Sequence, residues 1–416
     1  MTAPARRPRA CPPAARRPHA CPTAEEKMPD PDSTPAAGRS ALVVGGTGPT
    51  GPHVVRGLLE RGHDVTILHT GRHESPEIAD EVRHVHTDPF DVSLVDDALG
   101  AAEFDLVVVM YGRLRELAGL LAGRAGKFAG VGGIPVYTGW GDAGSLWPAG
   151  MRVPTREHDR LVSGEPAGFR MNRKVARIAA TESAVFEHHP TASHLRYPWI
   201  YGPNQINPRE WMIVRRVLDG RRRLVLPDGG LSLQSAAHSR NAAAMVLAAV
   251  DAGDRSAGQA YNVADEWTPT LRQWVEILAA ALDAEFEIVS VPWEHAAVAR
   301  HLTSRSTPHH RVIGCDKAVY ELGYRDVVDP VEGLTATARW LAENPPEPGG
   351  ALERAVGDRF DYAAEDRVID AWQAATSAVA QILADADPGF VDRYAADYDD
   401  RPDGGAGWPS VGRGPL

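Results

Sequence analysis

Cysteine is scarce in this chain. Its 416 residues contain three, Cys11, Cys21 and Cys315, and the first two fall in a stretch of Pro, Ala and Arg. That excludes a disulfide framework and a four-cysteine zinc site, and it fits a reducing compartment. Long apolar runs are missing as well. No stretch reaches the roughly 18 residues a membrane span needs, and the Arg- and Pro-rich start lacks the apolar segment of a secretory signal. Excess positive charge is absent: 44 Lys and Arg face 55 Asp and Glu, a net charge of −11. No basic field is offered to nucleic acid or to an anionic membrane. His188 and His189 are adjacent and precede Pro190, so they read as a helix end, and no metal is expected. The expectation is a soluble cytoplasmic protein with a small-molecule substrate and neither nucleic acid nor membrane as partner.

What the chain does contain is organised in segments. Residues 1–39 form an arm in which ARRPRACPP at 5–13 returns as ARRPHACPT at 15–23. Such a composition buries too little apolar surface to offset the entropy of ordering it. Met28 stands as a second candidate start. From Ser40 short apolar runs alternate with amphipathic stretches, the pattern of βαβ units and a parallel sheet. Strands are expected at 41–46, 64–70, 82–88, 105–112 and 133–139, with helices at 53–62, 93–100 and 114–123. A long helix over 171–188 and a strand from 193 follow. Beyond these come helices at 209–220, 241–253 and 271–283 and strands at 259–263 and 286–292. The Pro/Gly cluster at 344–350 marks a boundary, and a helix over 366–386 precedes a frayed end. The fold class expected is α/β, a doubly wound parallel sheet of Rossmann type over 40–202. A smaller C-terminal substrate-binding portion over 203–345 and a helical C-terminal extension over 346–416 complete it.

Gly45, Gly48 and Gly51 give G-x-x-G-x-x-G between the first strand and the first helix. A tight turn without Cβ atoms lets the backbone approach a pyrophosphate, and the helix N-terminus then presents N–H groups and the positive end of its dipole. Thr47 and Thr50 lie in the same turn. This turn, with Asp88 in TDPFD after the third strand and LRYPWIYGP at 195–203, resembles the extended short-chain dehydrogenase/reductase family, the NAD-dependent epimerase/dehydratase group. The resemblance runs from about Ser40 to about Pro345. It implies that Asp88 contacts the adenine and that Tyr197 and Pro198 lie beside the nicotinamide. At the end of the second strand an acid would accept from the ribose 2′-OH and an Arg would accommodate a 2′-phosphate. HTGRHE has no acid at His69 or Thr70 and has Arg72, so NADP is favoured over NAD. A homodimer is also what the resemblance implies.

The catalytic pattern of that family is broken here. The resemblance implies a Tyr-x-x-x-Lys helix, in which the phenol exchanges a proton with substrate and the Lys binds the nicotinamide ribose, with a Ser or Thr after the fifth strand. Lys174 fits the lysine, but Arg170 stands four residues before it, beside Phe169, and no tyrosine lies between Tyr137 and Tyr197. A guanidinium stays protonated and cannot take the phenol's role. Trp140 falls near the expected serine, with Thr138 the nearest hydroxyl. Tyr201 could supply a phenol from a new position, so Lys174, Thr138 and Tyr201 are the catalytic candidates.

In the family's nucleotide-sugar enzymes an Arg precedes a V-x-D element. Here Gln234 and Asn241 occupy the matching positions, which disfavours a nucleotide sugar. Trp140, Asp142, Trp199, Arg209, Trp211 and His238 are the pocket candidates, a set suited to a planar or apolar molecule. Arg215, Arg216 and Arg221–Arg223 are charge runs that could bind phosphate or be solvated. The expected function is an NAD(P)-binding oxidoreductase or epimerase on a small metabolite. A non-redox cyclase, isomerase or lyase with a structural or absent dinucleotide is the alternative, and a dinucleotide-sensing regulator without turnover is the third.

Overall fold

A computed structural model describes residues 39–384 apart from 73, 79, 111, 165–172 and 304–306. The arm up to residue 38, Phe169, Arg170 and the frayed end therefore lie outside the described residues. By its contacts the chain divides between Gly38 and Arg39, and everything below belongs to the second unit.

In chain order the elements are β1 (Arg39–Val44), α1 (Gly51–Leu59), β2 (His63–His69), β3 (Arg83–His86), α2 (Val92–Leu99), β4 (Phe104–Val109), α3 (Leu114–Leu120) and β5 (Ala125–Gly133). Then come α4 (Arg173–His188), β6 (Ser193–Tyr197), β7 (Trp199–Tyr201), α5 (Trp211–Leu218), β8 (Arg223–Pro227), β9 (Ala236–His238), α6 (Ser239–Asp251), β10 (Gln259–Asn262), α7 (Leu271–Ala280) and β11 (Glu287–Val291). Four helices close the series: α8 (Asp316–Leu322), α9 (Pro330–Glu343), α10 (Ala351–Val356) and α11 (Tyr362–Ala384).

Seven strands form one parallel sheet in the order β10-β6-β5-β4-β1-β2-β3. The strand order reverses between β1 and β4, which is the switch point where ligands bind in doubly wound sheets. Period-two alternation between two covered faces explains why Ala41–Val44 of β1 are all apolar. Ala41 and Val43 enter a core with Val54 and Leu58 of α1 and Val246 of α6, whereas Leu42 and Val44 enter the opposite core with Leu117 of α3 and Val185 of α4. A separate core gathers α5, β8, α7, β11 and α9. Parallel pairs β8 with β11 and β7 with β9 lie in this smaller portion.

The fifth strand is a correction. It spans Ala125–Gly133, and residues 134–136 form a 3-10 turn rather than part of a strand over 133–139. AGKFAGVGG reads poorly as a strand because glycine weakens the pattern, yet the glycines are required. A Cβ on Gly132 would lie 2.3 Å from the buried His194 ring, and one on Gly126 2.8 Å from the Asp105 carbonyl oxygen.

The arginine runs are accounted for by the C-terminal helices. Arg216 pairs with Asp358 and Arg215 with Glu353. Arg221 meets Asp366 at 2.7 Å, Arg223 meets Asp370 at 3.1 Å, and Glu365 accepts from Val225 N at 2.9 Å. These arginines fasten the extension to the smaller portion rather than stand as a solvated run or a phosphate site. Among the described residues no helix is long and apolar enough to cross a membrane.

Candidate active site

The glycine turn follows β1 because Gly45 takes a positive φ of 90° and donates its N–H to Leu68 O at 3.0 Å. Each glycine has its own task. A Cβ on Gly51 would sit 2.2 Å from Gly46 O, so only glycine lets α1 start against the turn, whereas a Cβ on Gly48 would meet nothing nearer than 3.8 Å. Gly48 therefore keeps open the space a pyrophosphate would fill. Thr50 is the N-cap residue of α1 and makes no side-chain cap hydrogen bond. Tyr197, at the end of β6, is drawn to this turn: its hydroxyl donates to Ala242 O at 3.3 Å and also meets Thr50. The residues present fit a dinucleotide, with Thr47 and Gly48 partly exposed at the switch point.

Other predicted cofactor contacts lie around this edge. Asp88 is exposed after β3, one oxygen accepting from Phe90 N at 2.9 Å. Arg72 is exposed in the turn after β2. Lys174 is exposed on the first turn of α4. Ile178, one turn further along, approaches Gly133 at the end of β5, so Lys174 stands at the C-terminal edge of the sheet.

Moving the fifth strand moves its end. Ile134, Pro135 and Val136 now follow the strand where the resemblance calls for a hydroxyl, and Thr138 lies five residues beyond the strand end, its N–H donating to Arg160 O at 3.0 Å. Tyr137 is buried in a polar network away from the turn. Its hydroxyl donates to Asn262 Oδ1 and accepts from Arg196 Nη1, both at 2.6 Å, and Arg196 forks onto Glu182 at 2.7 and 2.9 Å.

Beyond β6 the chain builds a cleft. Trp199, Tyr201 and Arg209 line it, joined by Trp267, Trp274 and Asp265. Arg209 lies with its guanidinium carbon 4.7 Å from the Trp199 ring centre and 5.8 Å from that of Trp274. With its amide oxygen turned to Arg209 Nη1 at 3.2 Å, Gln234 completes that wall.

The remaining pocket candidates are elsewhere. Trp140 packs in a core with Ile134 and Ile313, and Asp142 is exposed in the following loop. Trp211 is buried with Nε1 donating to Glu353 at 3.1 Å. An aromatic residue reads alike in sequence whether it lines a cleft or fills a core.

His238 lies behind the cleft, its ring centre 5.3 Å from that of Tyr201. Burial lowers its imidazole to about 4, helped by the charges of His53 and Arg240, so the ring is neutral. The Tyr201 hydroxyl donates to Asp265 Oδ2 at 2.8 Å, and Asp265 Oδ1 accepts from His238 N and Asn241 Nδ2. Burial lifts the Asp265 carboxyl to about 7 despite those hydrogen bonds, and it lifts the Tyr201 phenol above its ordinary value. Glu210, also on the cleft, is raised by burial. The cleft thus combines indole faces, a guanidinium and a carboxyl poised near neutrality. Asp265, Trp267 and Trp274 were not among the sequence candidates. Asp265 and Trp267 stand in NVADEWTP, just past the strand expected at 259–263, and Trp274 stands in the helix expected over 271–283.

Residues 41–116 match the NAD dependent epimerase/dehydratase family. Among curated proteins the chain is 23% identical over 310 residues to chloroplast stem-loop binding protein of 41 kDa b from Arabidopsis thaliana, covering 71% of this chain and 78% of that one. It is 28% identical over 260 residues to 3-diazoavenalumate denitrifying reductase from a Streptomyces species, covering 58% and 81%. The fold is that of dTDP-glucose 4,6-dehydratase from Bacillus anthracis in complex with NAD, with a TM-score of 0.55 at 17% identity over 74% of this chain and 97% of the other.

Proposed function

We infer that this chain, whose residues 41–116 match the NAD dependent epimerase/dehydratase family, is an NAD(P)-dependent enzyme acting on a small aromatic or apolar metabolite that is not a nucleotide sugar. The carrying observation is the cleft that opens directly after Tyr197 and Pro198, with Trp199, Trp267 and Trp274 around Arg209. Indole faces suit a planar ring, and a guanidinium held between two of them suits an acidic substituent on it.

The turn residues Gly45, Thr47, Gly48, Thr50 and Gly51 would hold the pyrophosphate, Asp88 the adenine, Lys174 the ribose, and Tyr197 and Pro198 the nicotinamide side. A bound dinucleotide supplies hydride chemistry. The chain's own part is to orient substrate on the tryptophans, to exclude water and to move a proton through the Tyr201–Asp265 pair. Exposed Arg72 and the lack of an acid at His69 or Thr70 favour NADP. A curated relative whose name is that of a reductase supports the redox reading.

A second reading, non-redox catalysis by a cyclase, isomerase or lyase, is favoured by Ile134, Pro135 and Val136 following β5 where the resemblance calls for a hydroxyl. Assaying the oxidation of NADPH and NADH against a panel of aromatic acids, aldehydes and ketones separates the two. Substrate-dependent oxidation supports the redox reading. Substrate conversion that proceeds equally well in protein emptied of dinucleotide overturns it.

A further inference from the structure

Three histidines and a glutamate that the cleft does not use converge at the C-terminal edge of β2 and β3. The parallel register places His86 beside His69 and His84 beside Ile67. Side chains two apart on a strand share a face, so His69, His84 and His86 stand on one face where the sheet ends at β3. The following turn brings Glu74 back onto them. His69 Nε2 lies 3.1 Å from His84 Nδ1. Glu74 Oε1 lies 3.2 Å from His86 Nε2 and 3.8 Å from His69 Nε2, and Oε2 lies 3.4 Å from His84 Nδ1. All four donor atoms fall within 4.8 Å of one another.

The separations of 3.1–3.4 Å are close to the edges of a coordination tetrahedron, and the longer ones, up to 4.8 Å, would shorten on ligation. Zinc bonds of about 2.0–2.2 Å to imidazole nitrogen and carboxylate oxygen put neighbouring donors roughly 3.3–3.5 Å apart. Three imidazoles with one carboxylate also match the ligand preference of zinc-class ions rather than of calcium or magnesium, which take oxygen donors. We propose that His69, Glu74, His84 and His86 bind one divalent transition ion of the zinc class. With four protein donors the site is closed, and the ion would pin the turn between β2 and β3 to the sheet edge.

In the metal-free arrangement Gly71 N donates to His69 Nδ1 at 3.3 Å, which leaves the ring proton on Nε2, facing His84. Ligation through Nε2 moves that proton to Nδ1 and gives up the Gly71 hydrogen bond. Gly71 sits at a positive φ of 70° in an exposed turn, so this rearrangement is local.

The test uses the full chain without a histidine tag, stripped with chelator, then titrated with Zn²⁺ and with Co²⁺. The expected result is one ion per chain and intense visible Co²⁺ bands typical of four-coordination. H84A, H86A and Glu74→Gln should each weaken Zn²⁺ binding at least about 100-fold, more than the loss of an outer partner does. Their metal-free melting temperatures should match that of the parent, because these side chains are exposed. Replacing Cys11 and Cys21 with serine should change nothing. Zn²⁺ binding that survives the histidine substitutions, binding that disappears with the cysteines, or weak six-coordinate Co²⁺ bands would each overturn the proposal.

Discussion

Tyr201 donates its phenolic proton to Asp265 at 2.8 Å inside the cleft, and the receiving carboxyl is lifted by burial to about 7. The two groups form a coupled pair able to exchange a proton with a bound substrate near neutral pH. They stand on strand β7 and in the loop after β10, not on the helix that bears Lys174.

Removing the phenol tests that role. Tyr201→Phe should lower turnover by roughly two to four powers of ten, with substrate affinity little changed because the ring still packs in the cleft. Steady-state kinetics on the substrate found by the NADPH screen gives both numbers. An unchanged turnover would move proton transfer to another group.

Asp265 also makes a prediction about stability. Its folded pKa is raised, so its favourable contribution is fully present below the unfolded value of about 3.9 and is lost as pH rises through about 7. Urea unfolding of the parent and of Asp265→Asn should therefore diverge between about pH 4 and 7, the variant gaining relative stability as pH rises. His238 contributes the opposite slope in both proteins, since its depressed pKa costs stability as pH falls toward about 4. Parallel curves for parent and variant would contradict the carboxyl's raised pKa.

The glycines of the turn should separate fold from ligand. Gly51→Ala forces a Cβ to 2.2 Å from Gly46 O, and Gly48→Ala meets nothing closer than 3.8 Å. Gly51→Ala should unfold the turn and lower the melting temperature. Gly48→Ala should leave the melting temperature of the empty protein unchanged while weakening dinucleotide binding, as calorimetry would record.

The C-terminal helices should behave as part of the folded unit. Against the opposing effect of burial, the hydrogen bond from His301 and the charge of Arg216 hold the Asp358 carboxyl down to about 2. Asp358→Asn removes one of the two carboxylates facing the buried Arg216 guanidinium, leaving Glu365 at 3.8 Å, and should lower stability at pH 7 by less than the roughly 3–5 kcal/mol of a fully unpaired buried charge. That difference is present above the unfolded pKa of about 3.9 and shrinks as pH falls through about 2.

Much of the sheet was legible in the sequence because a strand buried on both faces must be apolar throughout, as ALVV of β1 is, and because Gly45, Gly48 and Gly51 sit where strand passes to helix. The fifth strand was not. Its glycines answer to His194 on β6, a partner more than sixty residues away that no local pattern announces. The cleft was half legible: Trp199 and Tyr201 lie within the recognisable LRYPWIYGP and Arg209 shortly after it, whereas Trp267 and Trp274 reach it from beyond β10. The histidines of β2 and β3 escaped notice because their convergence depends on register between strands. Within the sequence they show only as alternating residues of VRHVHTD and a distant HTGRHE.

The most direct measurement is to purify the full chain natively, denature it, and identify any released dinucleotide by mass spectrometry and absorbance near 340 nm, then titrate the emptied protein with NAD⁺, NADH, NADP⁺ and NADPH. The expected result is one dinucleotide per chain, tighter binding of the NADP forms, and a change of redox state when a substrate of the tryptophan cleft is added. Absence of binding by all four, or substrate consumption that proceeds equally well in the emptied protein, would contradict it.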